Sequence, residues 1–355
     1  MYIKDAYLEI TNRCNLNCYY CYNSSGENKT TCELSVQTIE DFISYLLSLE
    51  LKNKDELLKI HLAGGEPLLY SQLDELMDLI EKYIGRVRFS VVTNGTLYNK
   101  RFYDLLADND KIYVQFTLDG CDEQTNALSR GAGFFDKILC NIRNNKFKIT
   151  PILKMVISNS NKHQVEQYYR FAVDLGCTPT FAFINQSGNA ITNWNDKTLS
   201  ALDKLNIANK LSALDNEFNI NSYPPYATLS CPLSDHDAER SILIKPNGDI
   251  QPCQLLYDEN YKLGNIHRHS EPKAKNPDPY KIEENFNKLS GLISARKSLD
   301  FGCKNCLCSS KCNKGCPAMA IYAHNDLNSN DSLCTFRKTE FMKIVLQNKT
   351  EKRSS

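Results

Sequence analysis

The stretch that decides the fold is Ala6-Tyr7-Leu8-Glu9-Ile10-Thr11, followed without pause by Asn12-Arg13-Cys14-Asn15-Leu16-Asn17-Cys18-Tyr19-Tyr20-Cys21. The first six residues read as a short buried strand, and the chain breaks from it directly into three cysteines. Working outward, strands of the same kind are expected at Lys59–Ala63, Val87–Val92, Ile112–Leu118, Thr150–Ile157 and Pro179–Ile184. Amphipathic stretches separate them: Ser35–Glu50, Gln72–Tyr83, Lys100–Ala107, Phe134–Asn145, Lys162–Leu175 and Lys197–Leu214. Ile39, Phe42, Ile43, Leu46 and Leu47 share one helical face, and Ser71 is the expected N-cap of the second helix. Such alternation predicts a parallel α/β sheet, open or closed into a barrel. The cysteines then occupy the loop at the C-terminal end of a strand, where α/β barrels build active sites.

The 355 residues carry 42 Lys plus Arg against 42 Asp plus Glu, so no net charge calls for nucleic acid or an anionic membrane. Apolar runs are strand-sized and interrupted by charge, which excludes a spanning helix. Lys4, Asp5 and Glu9 stand where a signal peptide needs apolar residues. A cytoplasmic protein is expected, in which thiols stay reduced. Fifteen cysteines then point to metal or cluster ligation rather than disulfides.

The pattern changes near residue 215. Residues 216–230 are polar and contain Pro224 and Pro225, reading as a linker between a barrel at 1–215 and a cysteine-rich unit at 231–340, with a polar tail at 341–355. Ser241–Cys253 has the form of a hairpin turning at Asn247-Gly248. Residues 268–280 read as a surface loop, Ile282–Lys297 as a helix, and Gln347–Ser355 as a frayed end.

Soft thiolates at Cys14-X3-Cys18-X2-Cys21 suit an iron–sulfur cluster or zinc, and zinc would need a fourth ligand such as the more distant Cys32. The spacing, with an aromatic at Tyr20, resembles the radical S-adenosylmethionine (SAM) superfamily. The resemblance implies a partial (β/α)6 TIM-like barrel, a [4Fe–4S] cluster on Cys14, Cys18 and Cys21, and SAM chelated by its open iron. Reductive cleavage of SAM would give a 5′-deoxyadenosyl radical. Gly64-Gly65-Glu66-Pro67 matches that family's GGEP motif, which implies that Gly64, Gly65 and the Glu66 side chain hold the SAM ammonium. Thr93-Asn94-Gly95, Leu118-Asp119-Gly120 and Ser158-Asn159-Ser160 follow later strands; by the same resemblance Asn94 and Ser158 face SAM, whereas Asp119 reads more readily as a turn residue.

The C-terminal pattern is Cys231, Gly248-X4-Cys253, Cys303-X2-Cys306-X5-Cys312-X3-Cys316 and Cys334. It is similar to the SPASM domain of radical SAM maturases, with Leu263-Gly264-Asn265-Ile266 as a further match; the spacing from Cys231 to Gly248 is one residue longer than usual. The resemblance implies two auxiliary [4Fe–4S] clusters, one on Cys303, Cys306, Cys312 and Cys334, the other on Cys231, Cys253 and Cys316. Seven thiolates leave the second cluster one short, with an open iron, Cys308, His236 or Asp237 as the options. A zinc ribbon is the plain reading of the same cysteines.

Of the remaining cysteines, Cys140 and Cys177 are expected to pack, while Cys121 sits beside the Asp119 loop. His61 is expected in the core. The architecture implies modification of a ribosomally made peptide or protein, forming a thioether, a carbon–carbon crosslink or a related oxidation. A small-molecule dehydrogenase or oxidase is the other enzymatic reading. Ala63 and Gln254 depart from the Gln and Asp of anaerobic sulfatase maturases, the Asp resembling a general base. A flavodoxin or ferredoxin reductant is implied. The chain reaches Cys14 without room for a leader-recognition domain, so a separate leader-binding protein, or the SPASM surface, is expected to take that part.

Overall fold

A computed structural model describes residues 2–26, 30–49, 56–222, 231, 233, 239–267, 280–299, 303, 305–306, 312, 314–331 and 333–339. Six parallel strands follow one another across a sheet: β1 (Tyr2–Thr11), β2 (Leu58–Gly64), β3 (Val87–Thr93), β4 (Ile112–Thr117), β5 (Ile152–Ile157) and β6 (Thr178–Phe183). Each crossover carries helix: α1 (Val36–Ser48), α2 (Leu73–Tyr83), α3 (Lys100–Asp108), then α4 (Glu123–Arg130) with α5 (Phe135–Arg143), and α6 (Val165–Asp174). After β6 come the short α7 (Trp194–Lys197) and the long α8 (Ala201–Phe218). This is the expected partial barrel, six strands wide. Alternate strand residues such as Leu8, Ile10, Ile60, Phe89, Val91, Phe116 and Leu153 are buried in one core with Phe42, Ile43, Leu76, Ile80 and Tyr169 of the helices.

Beyond the barrel the sheet does not end. β7 (Glu239–Ile244) lies parallel to β1 on the edge opposite β2, pairing Ala6 with Ile242 and Leu8 with Ile244. β8 (Asp249–Gln251) returns antiparallel to β7, and β9 (Gly264–Asn265) pairs with β8, giving the order β6-β5-β4-β3-β2-β1-β7-β8-β9. The turn is the one expected: the Gly248 N–H donates to the Lys245 carbonyl at 2.9 Å, with Gly248 at φ +84°. Two more helices, α9 (Ile282–Ala295) and α10 (Pro317–His324), complete the second half. Residues 268–279, the tail from 340, His236, Asp237 and Cys308 lie outside the described residues.

Three expectations need correction. Ser71 does not cap α2: Gln72 holds that place without a side-chain cap bond, and the Ser71 hydroxyl donates to Glu33 across the loops. Helix α4 has no counterpart in the periodicity, because its inward residues are Thr125, Asn126, Ser129 and Arg130 rather than an apolar stripe. Its start is nevertheless written locally: Asp122 accepts from the Thr125 N–H at 2.7 Å as an N-cap. Finally, Cys140 is exposed on α5, whereas Cys177 is buried as expected.

Phe116 is fully buried, and its ring meets Phe147 and the space that Gly95 leaves without a side chain. Phe116→Ala should cost about 3–5 kcal/mol of stability, measured by denaturant unfolding.

Candidate active site at the mouth of the barrel

The cysteine loop is held from five strands, β2 to β6, each hold originating at or just beyond the strand's C-terminal end. From β2, the Gly65 N–H donates to the Thr11 carbonyl and the Glu66 N–H to the Arg13 carbonyl, both at 2.7 Å. A β-carbon on Gly64 would stand 2.3 Å from the Thr11 carbonyl oxygen, and one on Gly65 only 1.9 Å from that of Arg13. The double glycine is therefore required first by the chain's own cluster loop, and close approach to a ligand is secondary.

The Glu66 carboxylate is fully buried and already has three donors: the Thr93 hydroxyl at 2.7 Å, the Asn94 N–H at 2.7 Å and the Leu68 N–H at 3.1 Å. Burial pushes its pKa up, and these hydrogen bonds work against that shift. The side chain ties the β2 and β3 loops together. Asn94 continues the tie, its amide nitrogen donating to Asn15 Oδ1 at 2.8 Å and lying 3.8 Å from Cys14 Sγ.

From β4, Asp119 proves to be a hub rather than a turn residue. Fully buried, its Oδ2 accepts from Tyr20 at 2.6 Å and Ser129 at 2.8 Å, and its Oδ1 from the Val156 N–H at 2.9 Å. Arg130, brought in by α4, donates to the Tyr20 hydroxyl at 2.8 Å and stands 3.9 Å from Asp119. Sequence reasoning missed Arg130 along with its helix. Ser158, after β5, accepts from Tyr19 at 2.7 Å. The loop after β6 supplies Asn189, whose N–H and side chain donate to the carbonyls of Cys21 and Cys18 at 2.9 and 3.0 Å.

Cys14, Cys18 and Cys21 thus share one half-buried loop and influence one another electrostatically. Burial pushes the Cys14 thiol up to about 11 and that of Cys18 to about 12, so the free thiols hold their protons until a metal replaces them. The Leu16 N–H points at Cys14 Sγ at 3.4 Å, a donor fitted to a thiolate bound to iron. The donor set suits a cluster held by three cysteines.

In the second half, Cys303, Cys306, Cys312 and Cys334 line one cavity with Lys314, Asp331 and Arg337. Cys231, Cys253 and Cys316 form a separate group, each close enough to perturb another. Burial pushes Cys231 up to about 12 and Cys253 to about 11. Asp331 separates the groups: it accepts from the Cys316 N–H at 2.6 Å and pairs with Arg337. Among the described residues, no three of His, Cys, Asp and Glu converge tightly enough for a single metal ion.

The two halves meet over Glu9, which the sequence reading placed in a strand without a role. It is fully buried, accepts from Tyr257, and is bonded by Tyr22, while the Tyr22 and Tyr257 rings meet edge to face at 5.5 Å. Tyr22 adjoins Cys21, and Tyr257 follows Cys253 by four residues. Burial pushes the Glu9 carboxyl up to about 7 against those hydrogen bonds. His61 is buried as expected, with Nδ1 on Ser90 at 2.6 Å and its ring stacked on Tyr7. Gln254 is exposed and reaches the Tyr7 hydroxyl.

Comparison with known proteins agrees with this geometry. Residues 8–172 match the radical SAM superfamily, and residues 231–307 match an iron–sulfur cluster-binding domain, SPASM. Mycofactocin maturase MftC of Mycolicibacterium smegmatis is 28% identical over 336 residues, covering 92% of this chain and 81% of that protein. Among solved structures, Streptococcus suis SuiB bound to its precursor peptide SuiA superposes with a TM-score of 0.72 at 16% identity, over 94% of this chain and 76% of that one. Native anSMEcpe with bound AdoMet gives 0.71 at 18% identity, over 97% and 98%. At these identities the two structures speak for the fold.

Two outcomes follow from the geometry. Gly65→Ala should prevent the cysteine loop from closing on β2, so that anaerobic reconstitution loses the iron of that loop while the auxiliary iron remains. Glu9 is more readily protonated in the folded chain than in the unfolded one. The stability it contributes is therefore full below its ordinary carboxylate value of 4.5 and is lost as pH rises through about 7. Glu9→Gln should flatten that decline, seen as a smaller fall in Tm between acid and neutral pH.

Proposed function

Because the chain belongs to the radical SAM superfamily and carries a SPASM domain, we propose that it is a maturase of a ribosomally made peptide or protein. It would install a thioether, a carbon–carbon crosslink or a related oxidation. The observation that carries this reading is the pairing of two cysteine centres across Glu9: one at the barrel mouth, and one on strands that extend the same sheet. MftC is a maturase, and SuiB binds a precursor peptide; both are similar to this chain over most of its length.

In this reading Cys14, Cys18 and Cys21 hold the catalytic cluster. Cys303, Cys306, Cys312 and Cys334 hold one auxiliary cluster, and Cys231, Cys253 and Cys316 the other. A cluster on Cys14, Cys18 and Cys21, with SAM bound beside it, would supply radical chemistry for hydrogen abstraction from the substrate. The protein's part is positioning and exclusion of water. Gly64, Gly65 and the Glu66 side chain would hold the amino group of SAM, and Glu66 also ties the β2 and β3 loops. Asn94 and Ser158 fix the cluster loop from β3 and β5, and Tyr20, locked to Asp119 and Arg130, closes its flank. Auxiliary clusters held by these cysteines would supply electron transfer to or from the substrate. A flavodoxin- or ferredoxin-type reductant and a cytoplasmic setting belong to the same reading, as does the division into a barrel at 1–215, linker at 216–230, SPASM unit at 231–340 and tail at 341–355. Among the described residues no helix is long and apolar enough to cross a membrane.

Reconstituted protein should hold about twelve iron atoms per chain, three cubanes' worth. With SAM and a strong reductant it should release 5′-deoxyadenosine. Cys18→Ala should abolish that release, whereas Cys316→Ala should retain it and lose the mass change on the peptide. Zinc in place of iron, or no 5′-deoxyadenosine from the intact protein, would overturn the reading.

A further inference from the structure

The sheet face turned away from the helices lines the barrel's interior. On β5, Leu153, Met155 and Ile157 join the helix-side core, so Ile152, Lys154 and Val156 point the other way. Much of this inner face is internally satisfied. Tyr7, His61, Ser90 and Tyr113 stand in register across four strands, with His61 bonded to Ser90 at 2.6 Å and to Asp5 at 3.4 Å.

Lys154 is the exception. Thr117 and Thr180 lie beside it in register on β4 and β6. Among the described residues its ammonium meets no carboxylate and no hydrogen-bond acceptor. The Thr180 hydroxyl is buried without a partner. Asp119, the carboxylate fixed over this strand by the Val156 N–H, is already taken up by Tyr20, Ser129 and Arg130. Burial pulls the Lys154 ammonium below its ordinary pKa, with no anion nearby to oppose the shift. Lys154 is partly buried, and a cation partly withdrawn from water without a counter-ion is destabilised until an anion arrives. Lys154 also lies deeper than the cofactor loops: Ser158, which carries Tyr19, is four residues further along, about 13 Å at strand rise.

We propose that Lys154, with Thr117 and Thr180 beside it, docks a carboxylate of the peptide substrate, either its C-terminal carboxylate or an Asp or Glu side chain. An ammonium flanked by two hydroxyls offers more than the two donors a carboxylate needs, and charge-assisted bonds of this type are the strong ones. The inference rests on the peptide reading above and adds the chemistry of the residue inserted beneath the cofactor. It makes Lys154 a specificity determinant: a neutral residue of the same shape would leave the cation unpaired and be rejected.

The test is a footprint on the reconstituted holoenzyme. An amine-acylating reagent is applied and Lys154 is followed by mass spectrometry of the digest, with Lys100, 78% exposed, as the internal reference. Three probes are compared: N-acetyl-dialanine with a free carboxylate, the same dipeptide amidated, and N-acetylglutamic acid α-amide. Acylation of Lys154 should slow several-fold with one or both carboxylate probes, and not with the amidated dipeptide, while Lys100 is unchanged. Which acid protects identifies the source of the carboxylate. Thr180→Val should weaken the protection. Equal protection by the amide, protection by SAM alone, no protection by either acid, or failure of Lys154 to react at all would each overturn the proposal. Peptide-independent 5′-deoxyadenosine release from the same preparation reports separately on the radical reading.

Discussion

Strand β1 is paired along both edges, to β2 on one side and to β7 on the other, and the rest of the molecule is arranged around that fact. Its far end runs into the cysteine loop, so the loop inherits its position from a strand that cannot shift without breaking two ladders. The glycine pair at the end of β2 then pins the loop at a separation that admits no side chain. Rigidity is created where the backbone is most constrained, and the chemistry is placed one loop beyond it.

The polar groups around the loop follow one logic. Glu66 and Asp119 are carboxylates with no exposure to solvent, and each is surrounded by donors from different strands. A buried carboxylate without partners would be prohibitively unfavourable, and one with three binds several loops at once. The two anions therefore act as knots between β2 and β3, and between β4, β5 and α4. Arg130 brings the compensating positive charge next to Cys18, within the same knot.

Much of this was legible in the sequence because it is local. Strand-sized apolar runs, helical stripes and cysteine spacings are written over a few residues each, and the six barrel strands lie within two residues of the expected ends, except that β1 begins four residues earlier, at Tyr2. What escaped was written across distance or without hydrophobicity. Helix α4 buries polar residues, so no stripe announced it, although the Asp122 cap was there to be found. Glu9 looks like an ordinary strand residue because one partner, Tyr22, folds back from the cysteine loop and the other, Tyr257, reaches it only through the joining of β7 to β1. Gly64 and Gly65 meet a second demand that the motif does not spell out, since the carbonyls of Thr11 and Arg13 fill the space a side chain would need. Lys154 was silent for the same reason: an isolated lysine in a strand is unremarkable until its surroundings show no anion.

The pairing of β7 with β1 also bears on how the chain can be divided. A cut between α8 and β7 would leave the edge of β1 from Tyr2 to Leu8 bare, with Ile3, Ala6 and Leu8 beside a row of unpaired amides and carbonyls. An open edge of that kind recruits whatever strand it meets, including another copy of itself. The cysteine-rich half is thus the barrel's protection against self-association as well as a carrier of clusters, and the two functions cannot be separated by trimming the chain.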